Sequence, residues 1–256
     1  AFDPLQNRGR TANAGLNLAL LDDRLRNRLS YSRTRTDRQS LNPAQAVTDV
    51  TFDALSEVER WEYQGTFALT EAWQTVFGLE REEASMRTAS PSAFDPNPPT
   101  QTASADLDSA YVQVQGPLLA GLTLTAGLRR DEHDTFGGQT LGQAALAWSL
   151  NEGNTILRAS FGQGFKAPTL YQHYSEYGNL GLAPEEADAW DLGVEQVLAG
   201  AVAAICPGFR SGVRSGLRVG SALESARLAE VATFQGVVVL VYGQADHAAR
   251  AGAGHG

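Results

Sequence analysis

Along residues 11–196, stretches of period-two hydrophobicity are separated by connections that are alternately short and long. Leu122, Leu124, Ala126 and Leu128 alternate with Thr123, Thr125, Gly127 and Arg129. Successive side chains of a strand face opposite sides of a sheet, so one face is apolar and the other is wet. The same rule sets Gly142, Ala144, Leu146, Trp148 and Leu150 against Gln143, Ala145, Ala147 and Ser149. It sets Leu157, Ala159 and Phe161 against Arg158, Ser160 and Gly162, and Trp61, Tyr63, Gly65, Phe67 and Leu69 against Glu62, Gln64, Thr66 and Ala68. Soluble antiparallel sheets alternate too. The connections distinguish the two: Leu21–Asp23 is short, Asp37–Leu55 long, Thr70–Ala72 short, Ala84–Ala105 long, Gly116–Gly121 short, Asp131–Gly138 medium, Asn151–Asn154 short and Gly164–Glu186 long. Short turns on one side and long loops on the other are the ordering of a transmembrane β-barrel, which a sandwich has no reason to keep. Pro91, Pro96, Pro98 and Pro99 remove ladder donors from the second long loop and keep it out of the sheet.

Composition bounds the alternatives. A mean hydropathy of -0.24 and 43% hydrophobic residues leave no apolar run of about 18 residues, so no membrane helix is expected. Barrel alternation dilutes hydropathy, and a membrane is compatible with that absence. A formal charge of -9 argues against a nucleic-acid surface. The single cysteine, Cys206, excludes an internal disulfide and a cysteine-based metal site. The sequence opens Ala1-Phe2-Asp3-Pro4, without an initiator Met or a charged-then-apolar leader, and is read as an internal piece of a longer exported precursor.

The most specific stretch is GFKAPTLYQHYSEYGNLGLAPEEADAWDLGVEQ, Gly164 to Gln196. It resembles the distal barrel of TonB-dependent outer-membrane receptors, in which a strand ends in an aromatic-Lys-Ala-Pro element, here Phe165, Lys166, Ala167 and Pro168. A Tyr-Gly-Asn loop follows (Tyr177, Gly178, Asn179), then Leu-x-Pro-Glu (Leu182, Pro184, Glu185), then a strand carrying Trp190 and Gly193. The strand GLTLTAGLRRDEH, with Gly127, Arg129 and Asp131, is similar to the family's recurrent Gly-x-Arg-x-Asp strand end. The resemblance covers roughly residues 11–196 and is nearest to cobalamin and ferric-siderophore receptors. It implies TonB-energised import of a metal chelate or cobalamin across the outer membrane of a Gram-negative bacterium, in a barrel of about 22 strands around a plug. It implies no cofactor and no enzymatic activity. Trp61, Trp73, Trp148 and Trp190, with Tyr31 and Tyr63, are expected near the lipid interfaces.

The pattern departs from the family in two respects. Neither a plug nor a TonB box is present in the sequence, so the TonB complex would be engaged through a plug absent from this chain. Only nine strands are counted. The expected fold is therefore an all-β, antiparallel transmembrane β-barrel fragment (1-196) whose two open edges lipid would not tolerate. After Gln196 the sequence is rich in Ala, Gly, Val and Arg and does not alternate, so 197-256 is read as an atypical, irregular tail produced by a reading-frame change near residue 197. The rival reading is an α/β appendage, with a capping box at Ser221–Glu224 before a helix over 222–234 and a strand over 237–242.

Several constellations have a chemical and a plain reading. Glu80 and Glu82 share a strand face and could act as an acid/base pair, but a polar lumen opposite Arg129 accounts for them. His133 beside Asp134 lacks a nucleophile context and reads as a loop histidine. Gly162-Gln163-Gly164 precedes no helix, so it is not a phosphate loop. Asp37, Asp49 and Asp53 match no calcium-loop spacing and read as solvated acids. The group with most promise is Tyr171, His173, Tyr174 and Tyr177, since loop aromatics can stack on a planar chelate and His or Tyr can hydrogen-bond it. They can equally pack the loop on itself. Two further function classes stay open at this stage: a passive porin or adhesive barrel without TonB coupling, and a soluble β-sandwich.

Overall fold

The computed structural model describes residues 5–42, 49–198 and 201–215; of Leu198 and residues 201–215 only the backbone is described. One ten-stranded antiparallel sheet runs in strict chain order. Its strands are β1 (Leu5–Leu20), β2 (Leu25–Leu41), β3 (Val50–Ala68), β4 (Gln74–Ala89), β5 (Gln101–Leu119), β6 (Leu122–His133), β7 (Gly137–Leu150), β8 (Thr155–Lys166), β9 (Glu185–Leu198) and β10 (Ala201–Ser215). Among the described residues one α-helix of five residues, α1 (Leu170–Tyr174), lies between β8 and β9, and a 3-10 turn over Asn151–Gly153 joins β7 to β8. Short turns and longer connections alternate as expected except at β6–β7, where the link expected to be of medium length contracts to residues 134–136, shorter than the 151–154 turn that follows; every proline of the second long loop lies outside the strands. The sheet has one strand more than the nine counted from sequence. β10 pairs with β9 through a register shift between Ile205 and Gly208, within residues grouped above with the tail. The proposed 221–224 cap, 222–234 helix and 237–242 strand lie outside the described residues.

The strands are longer than the alternation suggested. β2 runs on to Leu41, β3 begins at Val50, β4 reaches Ala89, β5 begins at Gln101 and β6 ends at His133, so each long connection is shorter than its expected span. The short Gly116–Gly121 turn contracts as well, because β5 carries Pro117 in its last turn-proximal residues and absorbs it with a register shift between Pro117 and Leu119. At 19 residues, β3 is about 60 Å long at ~3.3 Å per residue. A tilted spanning strand needs about 9–11 residues, so roughly half of β3 stands outside a bilayer.

The reason these extensions escape a reading tuned to outward apolar rows is a phase inversion. Below it, the outward side chains include Leu79, 61% exposed, Leu128, 58%, and Trp61, 53%, and no second layer covers them. Above it, the outward positions of β2–β6 are Arg33, Arg35, Glu57, Glu59, Arg81, Glu83, Asp106, Asp108, Arg130 and Glu132. They form a ladder of ion pairs, among them Arg35–Glu57 at 2.8 Å, Arg81–Asp106 at 3.2 Å and Arg130–Glu132 at 3.0 Å. On the lumen side of the same levels stand Phe52, Ala54 and Val58 of β3, Ala84 and Met86 of β4, and Ala105 and Leu107 of β5. The boundary on β2 and β3 is occupied by Tyr31 and Trp61, whose ring centroids lie 4.6 Å apart, with the Tyr31 hydroxyl donating to Glu59 at 3.3 Å. That is the position expected of amphipathic rings between lipid and water.

At mid-height the lumen face is polar and internally paired. Arg129 Nη2 donates to Glu80 at 3.3 Å and to Ser109 Oγ at 2.7 Å, while its Nε donates to Asp131 at 2.6 Å. Arg60 Nε donates to Glu82 at 2.9 Å, Tyr111 donates its hydroxyl to Glu62 at 3.2 Å, and Gln143 donates to Gln113 at 2.9 Å. Glu80 and Glu82 therefore stand in guanidinium-bonded pairs within the lumen wall, the plain reading of that doublet.

Candidate functional site

The Gly164–Gln196 signature folds into the one elaborate connection among the described residues. β8 and β9 stay paired up to Lys166 opposite Glu185, with Phe165 opposite Glu186. Ala167 and Pro168 then leave the ladder, as a residue without an N–H requires. Thr169 caps α1 reciprocally: the Gln172 N–H donates to Thr169 Oγ1 at 3.2 Å and the Thr169 N–H to Gln172 Oε1 at 3.0 Å. A capping box of this kind starts a turn of helix too short to persist alone. Ser175 closes it, its N–H donating to the Tyr171 carbonyl at 3.2 Å.

The return path explains two further signature residues. The Gly178 N–H donates to the Ser175 carbonyl at 2.8 Å and the Asn179 N–H to the Gln172 carbonyl at 2.9 Å. This brings the chain so close that a Cβ on Gly178 would lie 2.7 Å from the His173 carbonyl oxygen. Asn179 Oδ1 accepts from the Gly181 N–H at 2.9 Å, and the Asn179 carbonyl accepts from the Leu182 N–H at 3.2 Å. Pro184 ends the excursion immediately before Glu185 opens β9. Gly193 stands in β9 opposite Arg158 on the lumen face. Gly178 and Asn179 are thus chain-folding residues of the loop.

The loop folds over the inverted part of the lumen wall, with α1 against β4 and β5. Between them lies a chamber of about 800 Å³. Tyr171 meets Phe52 edge-on with ring centroids 5.9 Å apart. The His173 ring is tilted against Phe136 with centroids 5.5 Å apart and meets Tyr174 edge-on at 4.5 Å, and Phe136 lies 5.0 Å from His133. A second tie anchors the loop from above, Ser90 of the β4–β5 connection donating its hydroxyl to Glu176. Of the four aromatic and imidazole candidates, Tyr171, His173 and Tyr174 line the chamber. Tyr177 stands outside it, 74% exposed.

His173 is 7% exposed. Its Nε2 lies 3.0 Å from the Leu180 carbonyl oxygen. A carbonyl can only accept, so Nε2 carries a hydrogen, and in the neutral imidazole Nδ1 is left as a lone pair. That Nδ1 is buried with no hydrogen-bond partner. His133 Nδ1 accepts from the Thr135 N–H at 3.1 Å, which makes it a turn-forming residue at the chamber wall. Asp53 is bonded by Gln39 at 2.9 Å and by Arg87 at 3.3 Å, tied into the outward ladder. Gly162 to Gly164 lie within β8.

Sequence reasoning found the loop and missed the wall. Phe52, Met86, Leu107 and Phe136 line the chamber, with Arg38 over the Phe52 ring at 5.7 Å. The signal that carries them is the switch of apolar parity, visible in β3 where Trp61, Tyr63 and Phe67 give way to Val58, Ala54 and Phe52.

Comparison with known proteins agrees with this geometry. The chain is 40% identical to the Vitamin B12 transporter BtuB of Vibrio cholerae serotype O1 over 78 residues, 30% of this chain and 13% of that relative. Among solved structures, a double mutant of the ferric enterobactin receptor PfeA from Pseudomonas aeruginosa superposes with a TM-score of 0.67 at 21% identity, over 82% of this chain and 35% of that one. The siderophore receptor PirA from Pseudomonas aeruginosa gives 0.60 at 24% identity, over 80% and 39%. These likenesses establish the fold, and the chain spans only a minor part of each relative's length. The model of the family described as "TonB dependent receptor-like, beta-barrel" matches residues 2–204, and the chain belongs to that family.

Proposed function

We propose that the chain is part of an outer-membrane transporter of a Gram-negative bacterium that takes up a ferric siderophore or cobalamin with energy delivered by TonB. The single observation that carries this reading is the aromatic chamber under the signature loop, at the end of the sheet that the charged ladder sets beyond the lipid belt. Cargo is captured there, against Tyr171, His173 and Tyr174, and passes down a lumen lined by the Glu80, Arg129 and Asp131 pairs. Energy coupling falls to a plug supplied by sequence beyond this chain, and the outward rows of Leu, Phe and Trp face outer-membrane lipid. The work is transport, with no chemical step assigned to any residue.

The reading is tested by deleting the gene and measuring uptake of labelled cobalamin and of labelled ferric siderophores, with and without a functional TonB. Loss of saturable, TonB-dependent uptake of one cargo supports it. Flux that is unsaturable and indifferent to TonB identifies a passive barrel and rejects it. The domain division goes with this proposal: barrel over residues 1–196 and a frame-shift product beyond about 197, a boundary that the family match, which runs to residue 204, and β10, paired to β9 through Ser215, both overstep. Resequencing the coding DNA tests that division. A second frame encoding aromatic, alternating strands supports it, and a frame with none rejects it.

A further inference from the structure

The chamber's charge and lining define a class of cargo more narrowly than the family does. We infer that it admits a charge-neutral molecule or chelate that presents apolar surface and an N–H or O–H donor, and discriminates against highly anionic chelates. This deepens the transporter reading and rests on it.

Volume is the first argument. About 800 Å³ lies within the range of ~300–1,000 Å³ that holds an organic ligand. Chemistry is the second. The wall opposite α1 is built from Phe52, Val58, Met86 and Leu107, and the rings of Phe136 and Tyr171 close two sides. Such a lining rewards apolar and aromatic surface. Charge is the third. Arg38 is the single guanidinium among the described residues that line the chamber, and it sits over Phe52. The lining carboxylate Glu82 is already bonded by Arg60, and Asp106 is paired to Arg81 on the outward ladder. A polyanionic chelate needs several converging cations, preferably arginines. This wall supplies one. The fourth argument is the buried Nδ1 of His173, an acceptor without a donor. A group left so is costly, and a cargo N–H or O–H that reaches it supplies its partner.

The experiment uses the receptor purified from outer membranes, with equilibrium binding measured for cyanocobalamin, a neutral ferric trihydroxamate and an anionic ferric tris-catecholate. At least one of the two neutral probes is expected to bind at least tenfold more tightly than the tris-catecholate. Phe52→Ala and His173→Phe should each weaken that neutral probe by about tenfold. Leu107→Lys should invert the order by placing a cation in the wall, a gain that misfolding cannot mimic. Tighter binding of the tris-catecholate to the unaltered receptor, or neutral-probe binding indifferent to Phe52→Ala and His173→Phe, overturns the inference and leaves the transporter reading standing. Binding of none of the probes overturns the inference, and together with TonB-independent flux overturns the transporter reading as well.

Discussion

The lower and upper halves of β2–β6 are made from one alternating pattern used in opposite phase. In the belt, Leu79, Val112 and Leu128 point outward, and Glu80, Gln113 and Arg129 point into the lumen. Higher up, Arg81, Asp106 and Arg130 point outward, and Met86 and Leu107 point inward. The backbone ladder runs through the change without a break between β3 and β4. Solvent explains the difference. A barrel wall in hydrocarbon must be apolar outside, whereas a wall in water obeys the ordinary rule and keeps its apolar side within, provided something covers it. The signature loop with α1 is that cover. The site therefore sits where the protein ceases to be a membrane protein by polarity while remaining the same sheet by hydrogen bonding.

The comparison is broken most sharply by placing one charge in each half. Leu124→Arg puts a guanidinium on the outward face at mid-belt and is expected to cost about 2–4 kcal/mol. Ser104→Arg, outward on β5 among the charged ladder, is expected to change stability by less than about 0.5 kcal/mol. Denaturant titration of the receptor in lipid vesicles, followed by tryptophan fluorescence, reads both. Equal costs would mean that the belt does not end below Arg81 and Arg130.

A smaller effect is expected from the lumen network. The side chains of Arg129, Glu80 and Asp131 are 18%, 10% and 9% exposed. Arg129→Met leaves Asp131 without its guanidinium and Glu80 with Arg60 alone, 3.8 Å away, and is expected to cost about 1–3 kcal/mol. The double variant Arg129→Met with Glu80→Gln should recover part of that loss if the pair is coupled as its geometry implies. Strict additivity in the same titration would reduce the network to neighbouring but independent groups.

Much of the fold was legible because lipid enforces a simple rule. The rows at Leu122–Leu128, Gly142–Leu150 and Trp61–Leu69 name their own strands, and the alternation of short and long links gives the topology. What hid the rest is physical. Val50–Ala54 and Ala84–Thr88 alternate in the inverse phase and Asp37–Ser40 is polar on both faces, so a search for outward apolar residues takes all three for loop. Pro117 falls inside the expected Gly116–Gly121 turn, yet a strand end with a register shift accommodates it. Of the site, the signature gave the loop residues, since Gly178 and Asn179 are dictated by local backbone geometry. The wall behind them comes from strands up to about 120 positions away in sequence, which no local pattern joins.

The comparison is sharpened by a variant that removes the cover and spares both halves of the wall. A methyl group on Gly178 would meet the His173 carbonyl oxygen at 2.7 Å and the Ser175 nitrogen at 2.9 Å. Those are backbone atoms within the turn, so relief requires the turn itself to open. Gly178→Ala is expected to cost about 1–2 kcal/mol locally, little of it felt by the sheet, because the strands pair with one another without the loop and α1 only rests on β4 and β5. Limited proteolysis should then cut within residues 167–184 several-fold faster than in the unaltered receptor, with the denaturation midpoint of the barrel nearly unchanged. The smallest effect belongs to the ladder: Arg130→Ala opens a pair whose side chains are 53% and 60% exposed, and exposed pairs contribute little. It should leave both proteolysis and the midpoint where they were. If Gly178→Ala lowered the barrel's midpoint as well, the loop would be holding the upper wall together, and the inward apolar face of β3–β5 would depend on its cover for the sheet to form at all.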